Sequence, residues 1–180
     1  MEFDRMYESI PCFWDRFDAH RMERRTILIS MLNQAIIALA GHGNMVIVGR
    51  GGFAVLAGLA DVLHVRIQAP LPLRIHRATE QPAIAEPSRA EILVKENDRL
   101  QKGFVESVYG AQWDSAKCFD LVIDTGKISP DLAAGWVVDA VKALKVPDLS
   151  GVHTAAQLPV DHILASTVTD FFRCERVHAS

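Results

Sequence analysis

Hydrophobic and polar positions fall along the chain in three patterns: long helical periods, short apolar runs, and polar breaks. From about Ala19 to Ala40 the spacing predicts a long helix. Asp18 is its candidate N-cap, and Gly41 and Gly43 end it. Its second half is apolar nearly all round (Ile27, Leu28, Ile29, Met31, Leu32, Ile36, Ile37, Leu39), which predicts a well-buried element. Met45-Val46-Ile47-Val48 is a continuous apolar run between glycines, the pattern of a central strand buried on both faces of a parallel sheet. It ends in Gly49-Arg50-Gly51-Gly52, and a short helical stretch follows from Phe53 to Leu59. A second strand is predicted over about 62–69. There Leu63, Val65 and Ile67 alternate with His64, Arg66 and Gln68, so one face should be less buried.

Pro70 and Pro72 open a short helix carrying Arg74 and Arg77. Residues 80–87 are polar and proline-rich, a mobile loop by composition. Ser88-Arg89-Ala90-Glu91 has the form of a capping box, so a helix is predicted from there to about Val108. Tyr109-Gly110 and Trp113-Asp114 mark a turn region. Phe119 to Asp124 is predicted as a third buried strand. Ser129-Pro130-Asp131 combines a capping hydroxyl, proline at the first helical position and an acid at the positive end of the dipole. It predicts a helix to about Leu144. Residues 147–151 read as a linker, and 160–172 as one weakly apolar helix.

Helices alternating with three short apolar strands define an α/β parallel sheet with right-handed crossovers. The expected organisation is a lead-in segment (1–18), an α/β domain (19–145), and a linker with a helical tail (146–180).

Bulk properties narrow the function classes. The chain has 180 residues, 49% of them apolar, which suffices for a core. A net charge of −3 gives no reason to expect nucleic acid or an anionic membrane as partner. The three cysteines, Cys12, Cys118 and Cys174, have neither disulfide-framework nor zinc spacing. A reducing, cytoplasmic location is expected. No signal peptide, transit peptide or membrane-spanning run is visible. The histidines show no metal spacing, and no metal site is expected.

Four ordered blocks carry a resemblance. They are M-V-I-V-G-R-G-G-F-A-V-L; L-H-V-R-I-Q-A-P-L-P-L-R-I-H-R; N-D-R with the following Tyr109-Gly110 and Trp113-Asp114; and F-D-L-V-I-D-T-G followed by I-S-P-D-L-A-A. Together, over roughly residues 20–145, they resemble the cytidylate kinase-like proteins. The resemblance implies a P-loop nucleoside monophosphate kinase fold that moves the ATP γ-phosphate to an acceptor such as CMP, with Mg2+ bridging phosphates. By this resemblance Arg50 grips the acceptor phosphate, and Gly49, Gly51 and Gly52 let the backbone approach it. Arg74, Arg77 and Arg99 neutralise charge, and Asp98 belongs to the acceptor side. Thr125, Gly126 and Lys127 border ATP.

The departures from that family pattern are specific. A phosphate loop needs G-x-x-x-x-G-K-[ST]. The sequence holds one Gly-Lys pair, Gly126-Lys127, with Leu121 in place of the first glycine and Ile128 in place of Ser or Thr. The neighbours of Arg50 are glycines rather than acids, and Gln101 stands where a further arginine is expected. The chain is therefore expected to be a partial kinase-like sheet of about three strands, lacking the first strand and its phosphate loop. ATP and Mg2+ are implied by the resemblance, and the missing loop argues against their binding. Deleting a central strand would leave an apolar strand edge, a template for homo-oligomers. The functional expectation is a kinase-like phosphotransferase, inactive as this chain. The alternative is a non-catalytic nucleotide- or anion-binding protein, or a dimerising one.

Plain structural readings stand beside these. Arg50 is otherwise a surface arginine in a glycine turn, and Arg74 and Arg77 a solvated helix face. Asp98 and Arg99 read as a local ion pair. Arg66 reads as lying on an uncovered face of the sheet, Lys127 as a loop lysine, Trp113 and Trp136 as packing residues, and Cys118 as no nucleophile.

Overall fold

The computed structural model describes residues 22–145, 151–160 and 166. The chain divides into two compact units, Met1–Ala38 with Val160–Ser180, and Leu39–Pro159. The expected lead-in and most of the expected tail helix lie outside the described residues.

The first unit contributes most of helix α1 (Met22–His42). Ile36 and Ala38 are buried, whereas Ile27, Leu28 and Met31 are exposed. The expectation of burial all round this helix is corrected. An all-apolar girth needs a neighbour on every side, and only the C-terminal turns of the helix bury theirs.

The second unit holds helix α2 (Gly52–Val55), strand β1 (Val65–Gln68), helix α3 (Leu71–Thr79), helix α4 (Pro87–Tyr109), strand β2 (Leu121–Asp124) and helix α5 (Pro130–Ala143). Short 3-10 turns lie at Pro82–Ile84, Ala116–Cys118 and Ala155–Gln157. β1 and β2 pair in parallel, from Val65 opposite Leu121 to Gln68 opposite Asp124. Ile123 at the centre of β2 is buried. Leu56, Ala90, Val105, Ala133 and Ala155 are the other buried apolar side chains of this unit. α3 packs along α4, and α2 touches α4 as well.

The sheet has two strands among the described residues, not three. Met45–Val48 is not a strand: Val46 is 91% and Val48 76% exposed. Among the described residues it has no hydrogen-bonded strand neighbour. A strand is stabilised by its ladder, and β1 gives one edge to β2 while Met45–Val48 pairs with neither. The side chains still alternate, Met45 and Ile47 half-buried against Val46 and Val48 exposed. The apolar run is real, but it pairs with no strand among the described residues.

Helix boundaries follow local chemistry. α5 starts as read: the Leu132 N–H donates to Ser129 Oγ at 3.3 Å, with Pro130 at the first position. α4 starts one residue before the predicted box. Pro87 takes the first position after Glu86, and the Ser88 hydroxyl turns back to the Glu86 carboxylate. Proline's fixed φ sets the start, so the box does not form. α4 ends on Gly110, whose φ of 62° closes it in the left-handed region.

The segment after the described part of α5 is not a detached tail throughout. The Ala60 N–H donates to His153 O at 2.9 Å, and the Ala155 N–H to Asp61 Oδ1 at 2.7 Å. These bonds tie residues 153–155 to the loop before β1.

Candidate functional site

In an open parallel sheet, ligands bind beyond the carboxyl ends of the strands. Here those ends are Gln68 and Asp124; two groups of predicted residues lie on the segments that follow them and on the helix packed beside, and a third is the glycine turn after Val48.

The first group joins α3 to the end of β2. Arg77 Nη1 donates to Thr125 Oγ1 at 3.0 Å, and Nη2 to Thr125 O at 2.8 Å. The Thr125 hydroxyl donates onward to Gln68 O at 3.1 Å, and the Thr125 N–H reaches the same carbonyl at 2.8 Å. Thr125 is buried, so this chain of bonds locks the last residue of β1 to the residue after β2. Gly126 follows because space allows nothing larger. A Cβ there would lie 2.6 Å from Pro70 Cδ, and its N–H donates to Asp124 Oδ1 at 2.8 Å. Lys127 is exposed in the turn beyond.

The second group joins α3 to α4. Arg74 grips Asp98 with both ends of its fork, at 2.7 and 2.8 Å. Asp98 holds the guanidinium pKa above arginine's ordinary value, through that hydrogen bond first. Arg74 Nε is buried and unpartnered among the described residues. Asp98 and Arg99 do not pair with each other. Neighbours on a helix point about 100° apart. Asp98 turns to α3, while Arg99 forks onto Glu96 of its own helix at 2.8 and 2.5 Å. The Glu96 carboxyl is held below its usual range by Arg99. The structure thus brings Arg74 to Asp98 and Arg77 to Thr125, and sets Arg99 on an exposed pair.

The third group is the glycine turn. Gly49, Arg50 and Gly51 have φ of 71°, 55° and 72°, three successive left-handed residues. The Gly52 N–H donates back to Gly49 O at 3.1 Å, and α2 begins at once, with the Ala54 and Val55 N–H groups on Gly51 O. For glycine this geometry is nearly free, but for arginine it costs roughly 1–2 kcal/mol. Gly51 is buried under Tyr109: a Cβ on it would lie 2.9 Å from Tyr109 Cδ2 and nearer still to Cε2. Burial raises the Tyr109 phenol pKa, and Phe104 meets the ring edge-on at 5.7 Å.

Arg66 is not on an uncovered face. Its guanidinium lies over the Trp113 ring at 4.7 Å and near the Phe119 ring at 5.7 Å, and Nη1 donates to Trp113 O. Phe53 stacks on Phe119 at 4.8 Å. This cluster joins α2, β1 and the loop before β2. The sequence reading treated Trp113 only as packing and missed its cation. The signal was an arginine inside one strand together with two aromatics, Trp113 and Phe119, ahead of the next. Trp136, also read as packing, is 45% exposed.

Among the described residues no three His, Cys, Asp or Glu side chains form a metal-binding group, and no helix is long and apolar enough to cross a membrane. Cys118 is a free, half-buried thiol.

A parallel sheet flanked by helices defines the class, an α/β fold. The particular family follows from sequence: residues 2–127 match the cytidylate kinase-like family, and the chain belongs to it, and through it to the P-loop kinase superfamily. The match begins at residue 2, so it includes the stretch read as a lead-in. A solved structure of an uncharacterized protein from Eubacterium ventriosum shares the fold with a TM-score of 0.59 at 18% identity, over 71% of this chain and 69% of that one. A curated protein described as uronate isomerase, from Corynebacterium glutamicum, is 32% identical over 96 residues, 52% of this chain. The chain spans 18% of the length of that relative, and the match carries nothing about the relative's activity as a whole.

Proposed function

We propose that this chain is the acceptor side of a kinase-like fold, a cytoplasmic protein that binds a nucleoside monophosphate such as CMP and does not phosphorylate it alone. The observation that carries the reading is the left-handed Gly49-Arg50-Gly51 turn, which holds an arginine in a costly conformation directly after the apolar run Met45–Val48. Strained residues persist where the surroundings over-determine them, and such places cluster at ligand sites. In this reading Arg50 takes the acceptor phosphate in its planar fork, with Gly49, Gly51 and Gly52 giving room for close approach. Arg74 and Arg77, fixed by Asp98 and Thr125, supply positive charge beside the sheet edge, and Arg99 adds to it from α4. Thr125, Gly126 and Lys127 border the place where a second nucleotide would sit.

ATP and Mg2+ belong to the family reaction, but the G-x-x-x-x-G-K-[ST] loop that holds them is not in this sequence. Calorimetry with CMP, dCMP, UMP and ATP, with a coupled ADP-release assay, tests the reading. The expected result is weak CMP binding, no ATP binding and no turnover. Robust turnover would sink the claim that the loop is required and absent. Binding of neither nucleotide would overturn the acceptor-side reading.

A second reading is favoured by one observation. Val46 and Val48 are exposed on an apolar run that pairs with neither strand, and the sheet has two strands among the described residues. In this reading the chain is a non-catalytic interaction protein that self-associates through the apolar edge. A monomeric sedimentation profile at micromolar concentration would argue against it.

A further inference from the structure

The left-handed turn raises a question the phosphate chemistry does not answer: what keeps Arg50 there without ligand. The turn's backbone bonds include one from the Gly52 N–H to Gly49 O and those that start α2 on Gly51 O. The tightest neighbour is Tyr109, the last residue of α4, lying on the Gly51 backbone. Tyr109 is itself well placed to stay. Gly110 ends the helix in the left-handed region immediately after it, and Phe104, five residues earlier, meets its ring edge-on. Gly51 is buried and Arg50 half-buried, so the peptide bond between them is covered.

We propose that Tyr109 is the positioning residue for Arg50, its ring seated on Gly51 so that the arginine is held left-handed and presented at the end of Met45–Val48. The consequence for ligand binding rests on the acceptor-side reading; the positioning itself does not. Without the ring, Arg50 relaxes toward ordinary φ, and its left-handed population falls about tenfold, with CMP affinity falling in proportion. The phenol oxygen is not needed, because the contact on Gly51 is made by ring carbons.

The test uses the full chain in three forms: wild type, Tyr109→Phe and Tyr109→Ala. Trypsin cleavage at the Arg50–Gly51 bond is followed by mass spectrometry, normalised to cleavage after Lys127 in the same digest. General loosening raises both cuts together, whereas loss of positioning raises the first alone. The expected result is wild-type behaviour for Tyr109→Phe and about tenfold faster cutting after Arg50 for Tyr109→Ala. Selective cutting that is unchanged in Tyr109→Ala overturns the proposal, whatever CMP does.

Where Tyr109→Ala folds poorly, a double-mutant cycle with Gly51→Ala read by thermal midpoint replaces it, using Tyr109→Leu as the second change. The penalty of Gly51→Ala should shrink when the ring is gone, since part of it is the collision with that ring. Strict additivity overturns the proposal. CMP titration of the same variants separates the two claims. Selective cutting with no CMP binding even in wild type leaves Tyr109's role standing and removes the acceptor-side reading.

Discussion

At the residue scale, the informative contrast is between Asp98 and Arg99. Sequence adjacency suggested that they pair, but the helix turns them to different neighbours, Arg74 for Asp98 and Glu96 for Arg99. Adjacency in a helix is a poor guide to contact; spacing of three or four is the useful one. Which arginine of α3 reaches α4 was not legible, because it depends on how the two helices pack. The Arg74–Asp98 pair has good fork geometry but is 34% and 44% exposed, so its contribution is modest. A double-mutant cycle of Arg74→Ala and Asp98→Ala, read by urea denaturation, should give a coupling of about 0.5–1 kcal/mol at low salt. High salt should shrink it. The glycines were legible as a turn. That Arg50 would share their left-handed φ was not, since it depends on packing from elements distant in sequence, such as Tyr109 on Gly51.

At the element scale, the starts and stops carried by Pro, Ser and Gly were read well, and pairing was read poorly. Ser129 caps α5 as its sequence promised. Replacing it with Ala should cost about 1 kcal/mol, seen as a lower denaturation midpoint with an unchanged slope. The strand Leu121–Asp124 was found because it is apolar, short and bounded by turns. Met45–Val48 has the same local pattern and is not a strand. Local pattern reports that a segment can join a sheet, whereas joining depends on a neighbour far away in sequence. α4 was read as a helix from its Ser88-x-x-Glu91 box; that box does not form, and the exposed flank instead carries i, i+4 pairs such as Glu91 with Lys95 at 2.6 Å.

At the scale of the whole molecule, the fold class was legible and the completeness of its sheet was not. Alternating helices and apolar runs gave an α/β parallel arrangement, which the paired strands bear out. The exposed valines have a physical consequence for the whole protein. Val46 and Val48 lie on one side of an apolar run, and Ile67 on β1 is 54% exposed. Exposed apolar runs and open strand edges promote association. Sedimentation velocity should show concentration-dependent self-association in wild type. A Val46→Lys, Val48→Asp double variant should shift it toward monomer with little loss of stability, because neither side chain is buried. An unchanged profile would assign any association to another surface.

Helix α4 is a measuring rod. It carries Asp98 at its middle and Tyr109 at its end, about 16 Å apart at 1.5 Å per residue. One residue pairs with Arg74 of α3 and the other packs on Gly51 of the glycine turn, so the rod sets the span between two places that the chain reaches by separate routes. Inserting a single residue between them would lengthen the rod by about 1.5 Å and rotate Tyr109 by about 100°. Such a change would leave every side chain at both places intact and put their spacing out of gauge. The distance between them is thus written in a count of residues rather than in any residue's identity.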